Sequence, residues 1–392
     1  MKQLITCIAF FISILTISIA GEPWTPGTFE IHMLDVGQGM CQLVISPSGK
    51  TLLMDIPEHN WNSSKVSEAV AKEIKEIIGG THINYIVASH LHLDHMGYVG
   101  YGGIWGLLNK YGITCDKLID REAGTWNDIN ANGTFDKGEV KWSNAGEIEW
   151  INAGTTSGTG EKWVAWVTDP NSDIYSKREA AVLGSTGQIN LGDGIKVTVV
   201  QVNAEGVKMK DGKTPLTGDH TADVMPPSEN DYSITLWIQY KDFDYIFGGD
   251  TDGEYSESDF GYCYNDVETV NAPRINRRVE AISVNHHGSQ HSSNEAYVTA
   301  LKPQVALYNV GPNSFGHPTT PVVERFRSAG SIQYFTEKGN LELEGEDLIV
   351  VNGEIVIKTI DGKNYTVNGK AFKAYPNTAA KKESGFLGIS WL

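Results

Sequence analysis

His90-Leu91-His92-Leu93-Asp94-His95 sets four metal-binding side chains in six consecutive residues, with only leucines between them. Imidazole and carboxylate suit Zn²⁺, and also Mn²⁺ or Fe. A cation held this way lowers the pKa of a bound water, so hydroxide becomes available near neutral pH as a nucleophile. The apolar run Ile83-Asn84-Tyr85-Ile86-Val87-Ala88 precedes the cluster and reads as a buried strand, and a segment with helical spacing follows Gly97. Ligands in the loop between a strand and a helix are held firmly yet stay reachable, and α/β folds keep their chemistry there. The competing reading is a polar turn that happens to hold three histidines.

Other candidates also close apolar runs. Asp55 ends Leu52-Leu53-Met54, Asp250 ends Tyr245-Ile246-Phe247, and His286-His287-Gly288-Ser289 follows Ala281-Ile282-Ser283-Val284. His317 lies in Phe315-Gly316-His317-Pro318. Strand ends on one edge of a sheet converge on one crevice, so these groups can meet.

The elements that must position them alternate in type. Strands are expected at 29–36, 40–45 and 51–55, then a helix capped by Ser63 or Ser64 and running to Ile78. A helix over 98–111 follows the histidine cluster. Regular β signals resume at 188–191 and 195–202, and residues 204–230 form a long polar loop, a length usually tied to function. Strands at 233–240, 243–247, 279–284, 304–310 and 331–335 come next, with helices near 294–301 and 321–329. From Gly339 the hairpin signals Asn352-Gly353 and Asp361-Gly362 separate alternating runs, so residues 339–392 read as a small β appendage.

A second metal motif lies in an insertion at about 124–173, rich in Gly, Asn, Thr and Trp. Asp128, Asn130, Asn132, Asp136 and Glu139 fall at positions 1, 3, 5, 9 and 12 of an EF-hand loop, Thr134 offers its backbone carbonyl, and Gly133 sits at the sharp turn. The flanks are not clearly helical. The motif therefore reads as a structural Ca²⁺ clip; the bland reading is a polar surface turn.

The 392 residues carry 20% charged and 40% hydrophobic side chains, which allows a real core and excludes global disorder. Residues 4–19 are almost wholly apolar, and Ser18-Ile19-Ala20 offers small residues for cleavage, so residues 1–20 read as a signal peptide. Its removal takes one Lys and no acid from a net charge of −17. Such a charge disfavours tight non-specific binding to nucleic acid. The expected setting is secreted, periplasmic or extracellular, with no stable membrane anchor after cleavage and no obligate protein partner. There Cys115 and Cys263 can pair, while Cys41 reads as a buried thiol.

Taken together, the blocks resemble metallo-β-lactamase-fold hydrolases, and most closely the ComEC-like hydrolase domain of DNA-uptake proteins. The matching stretches are Met33-Leu34-Asp35-Val36-Gly37-Gln38-Gly39, the HxHxDH motif at 90–95, Asn230-Asp231-Tyr232-Ser233-Ile234, Gly248-Gly249-Asp250, His286-His287-Gly288-Ser289 and Gly316-His317-Pro318. They fall in order from about residue 29 to 340. The resemblance implies a four-layer αββα sandwich over residues 21–338 with a two-metal site along one edge. His90 and His92 would hold one metal, Asp94, His95 and His287 the other, and Asp250 would bridge them. His286 would lie beside the ligands or against substrate. Asp55 would orient a ligand histidine from behind. Asp94 or Asp250 would hold the attacking water, and His317 would contact a phosphate or protonate a leaving oxygen.

One departure stands out. Many binuclear members carry another histidine between HxHxDH and the bridging Asp, but here that interval holds only His220. The first metal is left to water, Asn230 or His220. The expected activity is hydrolysis of a phosphodiester, whether a small molecule, nucleic acid or cell-envelope polymer, using one or two Zn²⁺ or Mn²⁺ ions. Hydrolysis of a lactone, ester or β-lactam, and a calcium-stabilised module without catalysis, are the alternatives.

Overall fold

The computed structural model describes residues 22–58, 65–147 and 159–377. The expected signal peptide, the Ser63 or Ser64 cap and the last residues of the tail lie outside these.

The chain enters the first sheet through an antiparallel meander of β1 (Phe29–Met33), β2 (Gln42–Ile45) and β3 (Thr51–Met54). After helix α1 (Val66–Ile78), β4 (His82–Val87) pairs parallel with β3. The short α2 (Leu93–Met96) and α3 (Gly103–Asn109) lead to β5 (Thr114–Asp120), parallel to β4. A separate hairpin, β6 (Gly124–Trp126) and β7 (Val140–Trp142), precedes α4 (Thr159–Thr168) and the edge strand β8 (Arg178–Ala180).

The second sheet begins antiparallel with β9 (Lys196–Gln201), β10 (Thr235–Tyr240) and β11 (Phe243–Phe247). Past the hairpin of β12 (Ser256–Glu257) and β13 (Cys263–Tyr264), helix α5 (Glu268–Ile275) leads into a parallel run. That run is β14 (Ala281–Ser283), α6 (Glu295–Leu301), β15 (Val305–Tyr308), α7 (Thr320–Ala329), β16 (Ile332–Phe335) and β17 (Leu348–Val350). Finally β18 (Ile355–Thr359), β19 (Asn364–Val367) and β20 (Lys370–Lys373) return to the first sheet beside β1. The sheets have nine and seven strands.

Alternation sorts the apolar residues into three layers of core. Ile31, Met33, Val44, Leu52 and Met54 of the first sheet meet Leu236, Ile238, Tyr245, Phe247 and Leu307 of the second. Their neighbours Leu43, Ile45, Leu53 and Ile86 face outward onto Val70, Ile74, Ile104, Leu107 and Trp163 of the helices. On the other side Ile246, Ile282 and Ala306 face Ile275, Val298, Leu301, Val323 and Phe326. The order is helix, sheet, sheet, helix. Strands buried on both faces read as unbroken apolar runs, which is why most were recognisable.

Four expectations need correction. The chain beyond residue 339 is no appendage: β17 extends the second sheet, β18–β20 extend the first, and Ile355, Ile357, Tyr365 and Val367 enter the core between them. The residues read as a strand at 188–191 are irregular, although Ile189 and Leu191 are buried in that core. Cys115 and Cys263 are free and buried, one on β5 of the first sheet and the other on the β12–β13 hairpin. Part of the insertion is structural, since α4 buries Trp163, Val164 and Val167 against the first sheet, with the Trp163 indole donating to Asp120 Oδ2 at 3.1 Å.

Helix α1 begins without a side-chain cap from its own N-terminal residue, Lys65. The Glu58 carboxylate takes that role, accepting from the backbone N–H of Val66 and Ser67 at 3.3 and 2.9 Å.

Candidate metal centre

Each candidate ligand follows a strand and is tied down by backbone bonds. After β4, the Leu91 amide donates to Glu229 Oε1 at 2.9 Å, while the Asp94 and His95 carbonyls accept from Met40 and Ile56 at 2.9 and 2.6 Å. Two glycines allow α2 to end against the start of α3, because a Cβ on Gly97 would lie 2.3 Å from Gly103 Cα. Asp250 follows β11, its amide donating to Ser233 Oγ at 3.2 Å. His286 and His287 follow β14 and are both left-handed, with φ of 50° and 52°. That conformation costs a non-glycine residue about 1–2 kcal/mol, so surrounding structure must hold it.

Four of the predicted groups meet at one point. The ligand atoms of Asp94, His95, Asp250 and His287 all lie within 4.8 Å of one another. His95 Nε2 is 3.1 Å from Asp250 Oδ1 and 3.3 Å from His287 Nε2, which is 3.4 Å from Asp94 Oδ2. The outer nitrogens fix the tautomers. His287 Nδ1 is 2.8 Å from the Asn309 carbonyl, which can only accept, so that nitrogen carries the hydrogen. His95 Nδ1 is 2.7 Å from Asp55 Oδ2 in the same sense. With a hydrogen on each outer nitrogen, both inner nitrogens face two carboxylates and can offer them a proton or offer a cation a lone pair. Asp250 Oδ1 is buried and has no hydrogen-bond donor. A cation satisfies this donor set; without one, a proton must do so. Burial pulls His95 down, yet Asp250, Asp94 and Asp55 hold it well above its ordinary range. Burial raises Asp94 and Asp250, yet the imidazoles hold both below the carboxylate range.

The groups around His90 and His92 are looser. His90 Nε2 and His92 Nδ1 converge at 3.1 Å, and His90 Nε2 is 4.0 Å from Asp250 Oδ2. Burial, then the neighbouring His95 and His92, keep His90 neutral by pushing it well below its usual pKa. His220 does not join them: its ring nitrogens are taken by Asp223 Oδ2 at 2.8 Å and the Pro215 carbonyl at 3.1 Å. Asn230 Nδ2 lies 3.2 Å from His286 Nε2, and Asn230 Oδ1 is buried without a partner. His317 stands at the rim, its ring 5.4 Å from that of His286 and stacked on exposed Phe315 at 5.9 Å. Burial and the nearby His286 and His287 lower it to about 3.

Three functional neighbours escaped the sequence reading. Glu147, from the insertion, places Oε1 3.0 Å from His92 Nε2. Asp252 places Oδ1 3.0 Å from His286 Nδ1. Arg121 clamps both oxygens of Glu229 through Nε and Nη2, and Glu229 in turn fixes Leu91. Asp252 is two residues from Asp250 and so was open to discovery; Glu147 and Arg121 sit in segments without periodicity.

The expected calcium residues lie on the β6–β7 hairpin connection. Asp128 accepts from the amides of Asn132 and Gly133 at 3.1 and 2.8 Å, and Asp136 Oδ2 accepts from Asn130 and Asn132 at 2.7 and 2.8 Å. Thr134 Oγ1 bonds Asn132 Oδ1 at 2.7 Å, and Glu139 accepts from the Trp126 indole and the Ile129 amide at 3.0 and 3.1 Å.

No protein-family model matches the chain. Over 121 residues it is 28% identical to ComE operon protein 3 of Bacillus subtilis (strain 168), a stretch covering 28% of this chain and 14% of that protein. The fold is that of the metallo-β-lactamases. The four layers and the Asp94–His95–Asp250–His287 cluster carry that assignment. Among solved structures, CmlA, a diiron beta-hydroxylase from Streptomyces venezuelae, is 10% identical with a TM-score of 0.39, covering 80% of this chain and 53% of that one. The hydrolase AbOPH of the beta lactamase superfamily is 14% identical with a TM-score of 0.30, covering 59% and 74%. A long form RNase Z from yeast is 12% identical with a TM-score of 0.32, covering 74% and 38%. Likeness at this level has no bearing on the reaction. The metallo-β-lactamase fold here presents a His/Asp site suited to a divalent metal.

Proposed function

We propose that this chain is a metal-dependent hydrolase of phosphodiesters. The observation that carries the reading is the position of Asp250 among four imidazoles, with Oδ1 3.1 Å from His95 Nε2 and Oδ2 3.6, 3.9 and 4.0 Å from the Nε2 atoms of His287, His286 and His90. Bound Zn²⁺ or Mn²⁺ would supply an activated water and offset charge growing on the substrate. The chain's own residues do the rest. Asp94 is the least buried of the four clustered residues, so its carboxylate can orient the water. His317 is neutral at working pH, and its buried Nδ1 has no partner, which suits a hydrogen bond to a phosphoryl oxygen or a leaving group. Tyr264, stacked on His291 at 4.0 Å, and Phe315 offer faces for a flat substrate group. The net charge of −17 favours a short phosphodiester over a long polyanion.

Export through residues 1–20 and Ca²⁺ bound at Asp128–Glu139 belong to the same reading, since extracellular calcium levels suit a weak site. The test is hydrolysis of bis(p-nitrophenyl) phosphate, single-stranded DNA and nitrocefin, each with Zn²⁺ and with Mn²⁺. Turnover of a phosphodiester is expected. Turnover of nitrocefin alone would replace this reading with lactam hydrolysis, and no turnover of any phosphodiester would refute it.

A further inference from the structure

We infer that His286 is the third imidazole of the first metal position, completing His90, His92 and Asp250, with Glu147 and Asp252 as the carboxylates that aim His92 and His286. The inference rests on the metal-dependent reading above and is independent of the substrate.

The first support is a shared pattern. Four imidazoles of the cluster each give one nitrogen to an acceptor, which leaves the other nitrogen for a ligand. His95 rests on Asp55 at 2.7 Å and His287 on the Asn309 carbonyl at 2.8 Å. His92 rests on Glu147 and His286 on Asp252, each at 3.0 Å. An acceptor behind a histidine fixes tautomer and ring orientation and raises ligand basicity, as behind ligands in metal sites.

The second support is reach. Asp250 Oδ2 is 3.9 Å from His286 Nε2, nearly the same as its 4.0 Å from His90 Nε2. Ligands each about 2.0–2.1 Å from one zinc ion stand roughly 3–4 Å apart. The left-handed pair His286-His287 brings two adjacent rings to the same carboxylate, since His287 Nε2 lies 3.6 Å from Asp250 Oδ2. Two costly backbone conformations in sequence are explained if both rings bind.

The third support is a set of unsatisfied acceptors. The ion-pair partners of Asp55, Asp94, Glu147, Asp250 and Asp252 among the described residues are histidines alone. Glu147 Oε2, Asp252 Oδ2 and Asn230 Oδ1, which adjoin His92 and His286, are buried without a hydrogen-bond donor.

The test is metal content. Chelated protein is reloaded with Zn²⁺, passed through a desalting column and measured by mass spectrometry, and each dissociation constant is obtained by competition with a chromophoric chelator. The wild type should hold two ions per chain, and His286→Ala one. Asp252→Asn and Glu147→Gln, which keep side-chain size, should hold the second ion on the order of 10–100-fold more weakly. His317→Ala should hold two. Retention of two ions at unchanged affinity by His286→Ala overturns the inference. If that variant does not fold, unchanged affinities in Asp252→Asn overturn it equally. A wild type that holds one ion also overturns it, whereas one that holds none refutes the metal-dependent reading itself.

Discussion

His95 and His287 face each other nitrogen to nitrogen, their Nε2 atoms 3.3 Å apart. Each ring has its hydrogen on the far side, committed to Asp55 or to the Asn309 carbonyl. Two inner nitrogens and two carboxylates thus meet in a buried space. Three segments, following β4, β11 and β14, converge to make that arrangement, and a cation or protons must satisfy it.

The loop that carries His90 and His92 depends on a buried ion pair. Glu229 accepts from the Leu91 amide and from Arg121, whose guanidinium also stacks over Tyr232 at 4.8 Å. Arg121→Met leaves the Glu229 charge buried and unpaired, which should cost about 3–5 kcal/mol in urea unfolding. A loss under ~1 kcal/mol would show that the pair does not anchor the loop.

Stability should depend on pH through His32. Its ring lies between Glu30 at 3.0 Å and Glu354 at 2.6 Å, and Lys358 approaches Glu30 at 3.6 Å. Burial opposes protonation of His32, but the two carboxylates raise it above 6.5. Burial likewise opposes ionisation of Glu30, but His32 and Thr28 hold it below 4.5. A raised histidine contributes fully below its unfolded pKa, and the contribution is lost as pH rises through the folded value; the lowered carboxyl contributes above its unfolded pKa and loses this on acidification. Both contributions are present between 4.5 and 6.5. The melting temperature should therefore fall more in wild type than in His32→Gln between about pH 6 and pH 9. Equal slopes would show that His32 is neutral in the folded state.

The C-terminal strands should be indispensable. Ile357 on β18 is fully buried between the sheets and pairs with Ile31 of β1. Ile357→Ala should cost about 2–5 kcal/mol. A cost near zero would mean that these strands are an ornament on a self-sufficient domain.

That last point marks where the sequence misleads. The hairpin dipeptides Asn352-Gly353 and Asp361-Gly362 were visible, but a local turn does not say which sheet its strands join. Apolar runs at β3, β4, β11 and β14 were legible because strands buried on both faces lack polar breaks. The ligands were legible because each ends such a run. Glu147 was not, because a single acid in an irregular segment is unremarkable until the fold brings it to His92. Helix α5 was missed because Pro273 lies inside it.

The hairpin loop from Asp128 to Glu139 should bind calcium. Ca²⁺ should raise the melting temperature by mass action on the folded state, and Asp128→Ala should remove that rise. An unchanged melting temperature in wild type at millimolar-order calcium would contradict the clip.

The most direct measurement is a metal titration of activity. Protein stripped by chelation is assayed on bis(p-nitrophenyl) phosphate while Zn²⁺ or Mn²⁺ is returned, beside Asp250→Ala and His92→Ala with circular dichroism to confirm folding. A metal-dependent phosphodiesterase should be silent when stripped and recover as metal returns. The two folded variants should lose at least ~100-fold in rate, since several kcal/mol of charge stabilisation is forfeited. Hydrolysis by the stripped protein, or full activity in folded Asp250→Ala, would contradict the assignment.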